Sequence, residues 1–402
     1  MNNKGTMEQK NKLIPELRFP EFVNDGEWYS KELNKILDYE RPDNYIVTDT
    51  NYEKEGTPVL TANKSFVLGY TKETFGIYNN LPVIIFDDFT VDNKYVDFPF
   101  KVKSSAIKIL KNKGADNLKF IYELMTQIKF NAIEHKRYYI SEYQNLSINV
   151  PKPKEQQKIA DCLSSLDELI TAHNDKLESL KNHKKGLLQN LLYQAIRFKQ
   201  INNQSYEDWK FVRFTDCCEL IHGFQFREEH FTEKGIPIIK IGSLVDNGCL
   251  TFNNATYVDE KYRNSFSKFE LKKGDILMAL TGGTLGKVSR INDDYGLIFQ
   301  NYRVGKFEPK DNAIKDFIYY ILQSSLVQNK VKSLVNEAAQ PNFGKQDFDK
   351  IEFFLPTIQE QQKIADCLTA VDHLITAQTE KVEQLKIHKK GLMQGLFPKI
   401  EE

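Results

Sequence analysis

No stretch of this 402-residue chain is long and apolar enough to span a bilayer. The opening, MNNKGTMEQKNKLIPELRFP, has no apolar run, so neither a secretory leader nor an anchor is expected. Net charge is missing too, because Lys+Arg and Asp+Glu both number 55. That balance gives no general pull toward nucleic acid or membrane. Cysteine is scarce: Cys162, Cys217, Cys218, Cys249 and Cys367, none in a CxxC pair. Zinc binding is thereby disfavoured, and a reducing, cytoplasmic compartment is expected.

Catalytic signatures are also lacking. An adenine methyltransferase needs Asn/Asp-Pro-Pro-Tyr/Phe to hold its base, and the nearest segment, Asp97–Phe100, lacks the paired prolines. No glycine-rich strand–loop–helix for S-adenosylmethionine is visible. TGGTLGKVSR, Thr281–Arg290, suggests a phosphate-cradling loop but is one residue short between Gly282 and Gly286, and Val288 stands where Ser or Thr would hold magnesium. A nuclease pattern can be assembled only from Pro42-Asp43 and the distant Asp92-Asn93-Lys94. The histidines are scattered, and His183 and His388 read as helix-surface or docking groups. No catalytic residue and no metal site is predicted.

What is present is a repeat. EQQKIADCL occurs at Glu155–Leu163 and again at Glu360–Leu368, and about two-thirds of the 38 positions from Glu155 to Leu192 match those from Glu360 to Phe397. Self-similarity of this kind governs the reading of the fold. Apolar residues fall at Ile159, Leu163, Leu166, Ile170, Leu177, Leu180, Leu187 and Leu191, and at the matching positions of the second copy. Their spacing has the period of a coiled-coil seam. His173 and Lys184 interrupt it in one copy, Gln378 and Lys389 in the other. Polar groups at seam positions fix register and partner. A helix of some 40 residues is about 60 Å long, too long for an ordinary core helix. Cys162 and Cys367 fall at equivalent positions and are expected to be small buried hydrophobes.

The seams are alike, so each helix is the natural partner of the other. Connectivity makes the pair antiparallel, with a pseudo-two-fold axis. Further matches extend the repeat to whole halves. KFIYELMTQ (Lys119–Gln127) resembles DFIYYILQS (Asp316–Ser324), and Arg18-Phe19 before Trp28 matches Arg197-Phe198 before Trp209. The protein reads as a ring cut once, with its ends close together. Between the helices, PVIIFD, SAIKILK, IPIIKI, DILMAL and LIFQNYRV carry the strand signature. The expected fold is α+β: two mixed, mainly-β domains joined by two long antiparallel coiled-coil helices in a circular arrangement. The expected segments are residues 1–150, 151–195, 196–355 and 356–402.

The pattern PxxxEQQKIADCL, heptads, then HKKGLLQ or HKKGLMQ, twice, each behind a variable domain, resembles the specificity subunit of type I restriction–modification systems. The RF…W start and DILMALTGGTLGK are similar to that family as well. The resemblance implies a subunit without catalysis of its own. Each variable domain would be a target-recognition domain reading one half of a split, asymmetric double-stranded DNA site. The helices would act as a ruler and dock two methyltransferase subunits. Restriction subunits would join that core. S-adenosylmethionine would belong to the methyltransferase, ATP and magnesium to the restriction subunit, and no cofactor to this chain. The reading from another class is a coiled-coil adaptor with two protein-binding β domains. Since phosphate contacts dominate DNA affinity, a neutral chain must concentrate its cations locally or share the clamp with partners.

Candidate DNA contacts follow from residue type. In the second domain, the glycine-rich hairpin with Gly283 and Thr284 beside Lys287 and Arg290 suits close approach to a backbone. In AAQPNFGKQDF, Gln340 and Asn342 can pair with adenine, with Lys345 alongside, and QNYRV offers Arg303. In the first domain, TANKSFVLGYTK offers Asn63, Lys64, Tyr70 and Lys72, and TVDNKY offers Asn93, Lys94 and Tyr95. Cations interleaved with aromatics and amides suit groove contacts. Ordinary solvated turns have the same composition.

Overall fold

The computed structural model describes residues 13–398 apart from 64, 135, 246–249 and 338–341. Lys64 and Gln340, and with them Cys249, lie outside the described residues. The chain divides into two compact units, Met1–Ala172 with Val382–Glu402, and His173–Lys381. Each holds a stretch of both repeated segments.

In the first unit the order is β1 (Tyr29–Glu32), α1 (Leu33–Ile36), β2 (Leu37–Glu40), β3 (Thr57–Leu60), β4 (Val67–Thr71), β5 (Val83–Asp87), β6 (Asn93–Val96), β7 (Lys101–Val102), β8 (Ile107–Asn112), α2 (Leu118–Met125), β9 (Ser147–Val150) and the start of α3 (Pro153–Leu192). β1 pairs with β9; one sheet runs β2-β8-β5-β6 and another β4-β3-β7, with β3 and β7 parallel. β5 is buried throughout, and its side chains alternate between two cores. Ile84 and Phe86 face Trp28, Phe120 and the helix residues Ile159 and Leu163, whereas Val83 and Ile85 face Leu60, Val96 and Phe100. A strand covered on both faces reads as a continuous apolar run, with period two deciding which core each residue enters.

The second unit contains the end of α3, then β10 (Lys210–Arg213), α4 (Phe214–Cys217), β11 (Cys218–His222), β12 (Phe231–Thr232), β13 (Ile236–Ile239), β14 (Thr256–Val258), β15 (Glu270–Leu271), β16 (Ile276–Ala279), β17 (Val288–Arg290), β18 (Ile298–Gln300), β19 (Val304–Pro309), α5 (Lys315–Gln323), α6 (Ser325–Glu337), α7 (Lys345–Asp349), β20 (Glu352–Leu355) and the start of α8 (Ile358–Leu396). Its sheets repeat the first plan: β10 with β20, then β11-β19-β16-β17, then β12-β14-β13-β18-β15 with β13 and β18 parallel. β16 alternates as β5 does, with Ile276 and Met278 toward one core and Leu277 and Ala279 toward the other. Two sequences with few matches outside the motifs build one topology. LIFQNYRV is not one strand but two, β18 and β19, because the chain turns at Asn301–Arg303.

The EQQ motif staples each long helix to its domain. Glu155 is 1% exposed and accepts from Arg18 Nε at 2.8 Å, Arg18 Nη2 at 2.7 Å and Trp28 Nε1 at 3.4 Å. In the second unit Glu360 accepts from Arg197 Nε at 3.2 Å, Arg197 Nη2 at 2.9 Å and Trp209 Nε1 at 2.8 Å. The bonded carboxylates push both arginines further above their ordinary pKa. The first glutamine does backbone work. Gln156 donates to Pro151 O and Asp116 Oδ1 and accepts from Asn117 N. Gln361 donates to Pro356 O and Asn312 O and accepts from Ile314 N. These bonds satisfy buried groups where the chain enters and leaves its domain. Pro153 opens α3, where a missing N–H costs nothing.

Within each unit the helical stretches run in opposite directions. In the second, Gln378 Nε2 donates to His173 O at 2.7 Å and lies 2.8 Å from His173 Nδ1, while Lys184 Nζ is 2.7 Å from Asp372. In the first, Lys389 Nζ is 2.6 Å from Asp167, the reciprocal pair under the repeat. The polar interruptions of the seam are thus bonded to one another or to the partner helix, which pins register.

The repeat extends to a hydrogen bond at the end of each long helix. Ile196 N donates to Asn190 O at 3.2 Å in the second unit, and at the matching positions of the first Leu17 N donates to Gly395 O at 2.8 Å. A Cβ at Gly395 would lie 2.5 Å from Leu17 Cδ1, so the half-exposed Leu17 side chain would have to shift to admit one. Cys162 and Cys367 depart from expectation: both are half-buried. Their neighbours Ile159, Leu163, Ile364 and Leu368 take the buried side, and the thiols are turned off it.

Candidate nucleic-acid interface

In both units one residue after the central strand gathers three loops. In the first it is Asp88: its N donates to Ala106 O and its O accepts from Tyr138 N, each at 2.8 Å. In the second it is Leu280: its N donates to Arg303 O at 2.9 Å and its O accepts from Phe343 N at 2.8 Å. The same backbone clamp therefore brings together the β5–β6, β7–β8 and 136–139 segments of one unit, and the β16–β17, β18–β19 and 342–345 segments of the other. A fourth loop joins each. Thr90 Oγ1 donates to Asn63 Oδ1 at 3.4 Å in the first unit, and Thr284 Oγ1 donates to Ile241 O at 3.4 Å in the second.

The side chains beneath the clamps differ. Asp88 Oδ1 accepts from Tyr139 N at 2.8 Å, and its Oδ2 lies 3.3 Å from Lys108 Nζ in an ion pair whose side chains are 1% and 2% exposed. Leu280 belongs to an apolar core instead. The β5–β6 loop is further pinned by Asp87 Oδ1, which accepts from Phe89 N and Thr90 N. Val91 sits there at φ 59. A β-branched residue in left-handed conformation is strained, and such strain concentrates at sites of function. In the second unit glycine meets the same demand. Gly282 and Gly286 have φ of 77 and 84, and a Cβ would fall 2.9 Å from Ile241 Cδ1 and 2.7 Å from Val331 Cγ1 respectively. Backbone shape and packing thus account for Gly282 and Gly286 of TGGTLGK, whereas a Cβ at Gly283 would meet nothing within 4 Å.

The clamps sort the candidates. Asn63 and Asn93 flank the first loop cluster. Asn93 Nδ2 donates to Val91 O at 3.5 Å, and its buried Oδ1 has no partner among the described residues. Gly283, Thr284, Arg303, Asn342 and Lys345 lie on the second cluster, where Thr281 bridges to Asn342 across the β16–β17 and 342–345 segments. Lys287 is half-buried at the base of that hairpin. Others stand elsewhere. Tyr70 and Lys72 are at the far end of the β3–β4 ladder, Lys72 Nζ being 3.6 Å from Glu53. Arg290 is at the far end of its hairpin, 2.6 Å from Asp316 and over the Tyr319 ring. Tyr95 packs on Tyr122 beneath Lys119, where burial raises its phenol pKa. Lys94 pairs opposite Ile85 and is half-buried.

Three further cations lie on the clusters. Lys103 and Arg137 are exposed on the first cluster, Arg137 lying 5.9 Å from the Phe89 ring. Lys240 sits on the second, where burial lowers its pKa and its Nζ donates to Thr256 Oγ1 at 2.6 Å. The run Lys136-Arg137-Tyr138-Tyr139 was the available signal, since it interleaves cations with aromatics.

Two domains of one topology, each presenting unlike polar loops on a shared backbone clamp, define a recognition scaffold built by duplication. The pattern of the type I restriction modification DNA specificity domain matches residues 25–182 and 206–386, and the chain belongs to that family. It is a specificity subunit, and catalysis in such systems resides in partner subunits. The specificity subunit of the type I restriction enzyme EcoR124I/EcoR124II of Escherichia coli is 30% identical over 393 residues, covering 91% of this chain and 92% of its own. That of MjaVIII from Methanocaldococcus jannaschii is 28% identical over 381 residues, covering 90% and 87%. The crystal structure of a type I system S subunit from M. genitalium covers 96% of this chain and 100% of its own, at 15% identity and a TM-score of 0.62. This last likeness concerns the fold alone. Among the described residues no helix is long and apolar enough to cross a membrane.

Proposed function

We propose that the two loop clusters each read one half of a split, asymmetric site in double-stranded DNA. The long helices set the gap between the halves and dock two methyltransferase subunits, with restriction subunits completing the complex. The functional segments are residues 1–150 and 196–355 for reading, and 151–195 and 356–402 for spacing and docking. S-adenosylmethionine is bound by the methyltransferase, ATP and magnesium by the restriction subunit, and the assembly works in the cytoplasm. The observation that carries this reading is the repeated clamp with different loops. A shared frame with unlike contact residues suits two different half-sites and does not suit one symmetric ligand. Among the cluster residues, Asn63, Asn93, Lys103 and Arg137 are assigned to one half, and Lys240, Thr284, Arg303, Asn342 and Lys345 to the other.

The ruler is tested by lengthening it. One helical turn inserted after Thr171 adds about 6 Å of helix, the axial length of roughly two base pairs. Methylation-aware sequencing of cells carrying the variant with its methyltransferase is expected to show both half-sites unchanged and the gap longer by one or two base pairs. An unchanged gap would refute the spacer role.

A further inference from the structure

The tip between β18 and β19 is more tightly held than its exposed position requires. Asn301 N donates to Ile239 O at 3.1 Å, Tyr302 N to Phe224 O at 3.0 Å, and Arg303 N to Asn301 Oδ1 at 3.2 Å. Beneath it the buried Gln300 amide donates to Ile221 O and Val304 O, each at 2.8 Å. This frame carries one exposed cation, Arg303. Its Nε donates to Tyr302 Oη at 2.7 Å, and its Cζ stands 5.3 Å from the Tyr302 ring centroid. The outer nitrogens Nη1 and Nη2 have no partner among the described residues.

We propose that Arg303 reads a guanine in the half-site met by the second unit, an assignment that rests on the reading given under Proposed function. A guanidinium offers donors only, in a planar fork. In the major groove guanine alone presents two adjacent acceptors, O6 and N7, whereas adenine pairs an acceptor with a donor. Tyr302 occupies Nε and fixes the plane, so the outer pair of nitrogens is set for an end-on, two-point contact with little ordering left to do on binding. A contact to phosphate needs charge and reach but no such tether.

Two variants separate fork from charge. Arg303→Lys keeps the cation and loses the fork; Tyr302→Phe keeps the ring and loses the tether. Each full-length chain, assembled with its methyltransferase, is used to select from a pool of randomised duplexes. Arg303→Lys is expected to lose guanine preference at one position of one half-site by up to about ten-fold, because an ammonium still donates to O6 and N7 but without the fixed fork, with every other position unchanged. Tyr302→Phe is expected to lose less, at the same position. Uniform weakening over all sequences with a shallower salt dependence would make Arg303 a phosphate contact and overturn the proposal. An unaltered sequence profile would overturn it too. If the unsubstituted chain selects no split site, the reading beneath the proposal fails instead.

Discussion

Glu155→Ala is expected to lower the stability of the first unit by about 3–5 kcal/mol, the range for removing one partner of a buried ion pair. Arg18 and Glu155 have side chains only 6% and 1% exposed. The carboxylate takes a two-point contact from Arg18 and a further bond from Trp28 Nε1. Alanine leaves the guanidinium buried with only Gly26 O, which accepts from its Nη1 at 2.6 Å, and leaves the indole N–H without its acceptor. Arg18→Met added to Glu155→Ala is expected to recover part of the loss, since the uncompensated charge is then gone. Hydrogen exchange on the full chain distinguishes the units. Protection in β5 falls, and protection in β16 stays. A loss below about 1 kcal/mol would mean that the motif does not hold helix to domain.

Lys108→Met is the second large effect, again about 3–5 kcal/mol. Asp88 would keep its backbone bonds to Ala106 and Tyr138 and the Tyr139 N–H, yet its Oδ2 would face an apolar chain. Because Asp88 ties three loops together, the loss should also appear in recognition. Affinity for duplexes with a correct first half-site is expected to fall, while discrimination at the second half-site persists. The double variant Asp88→Asn with Lys108→Met should be more stable than Lys108→Met alone, measured by urea unfolding. Equal loss of discrimination at both half-sites would contradict the assignment of Asp88 to one of them.

The legible parts of this molecule were those written locally or written twice. The helix seam, its polar interruptions and the matched contact at the end of each long helix follow from a repeat and a period, and α2 and α5 from matched amphipathic segments. β5, β8, β13 and β16 follow from short apolar runs. The loop clusters were not legible, because a clamp such as Leu280 with Arg303 and Phe343 is made of backbone groups that carry no residue-type signal. For the same reason residue type did not reveal the packing of Tyr95 and Arg290. An aromatic and a cation suited to DNA are equally suited to Tyr122 and Asp316, and long-range packing decides between them. LIFQNYRV hid a turn whose anchor, the Gln300 amide, reaches Ile221 O some eighty residues earlier in the chain. Cys162 and Cys367 misled because a residue beside a seam is not in it.

The most direct test holds both half-sites constant and varies only the number of base pairs between them, with binding by the assembled full-length chain measured on each duplex. The account predicts one preferred gap and a loss of about a hundred-fold or more on adding or removing a single base pair, consistent with forfeiting the contacts of one half-site. Equal affinity across gaps would contradict it.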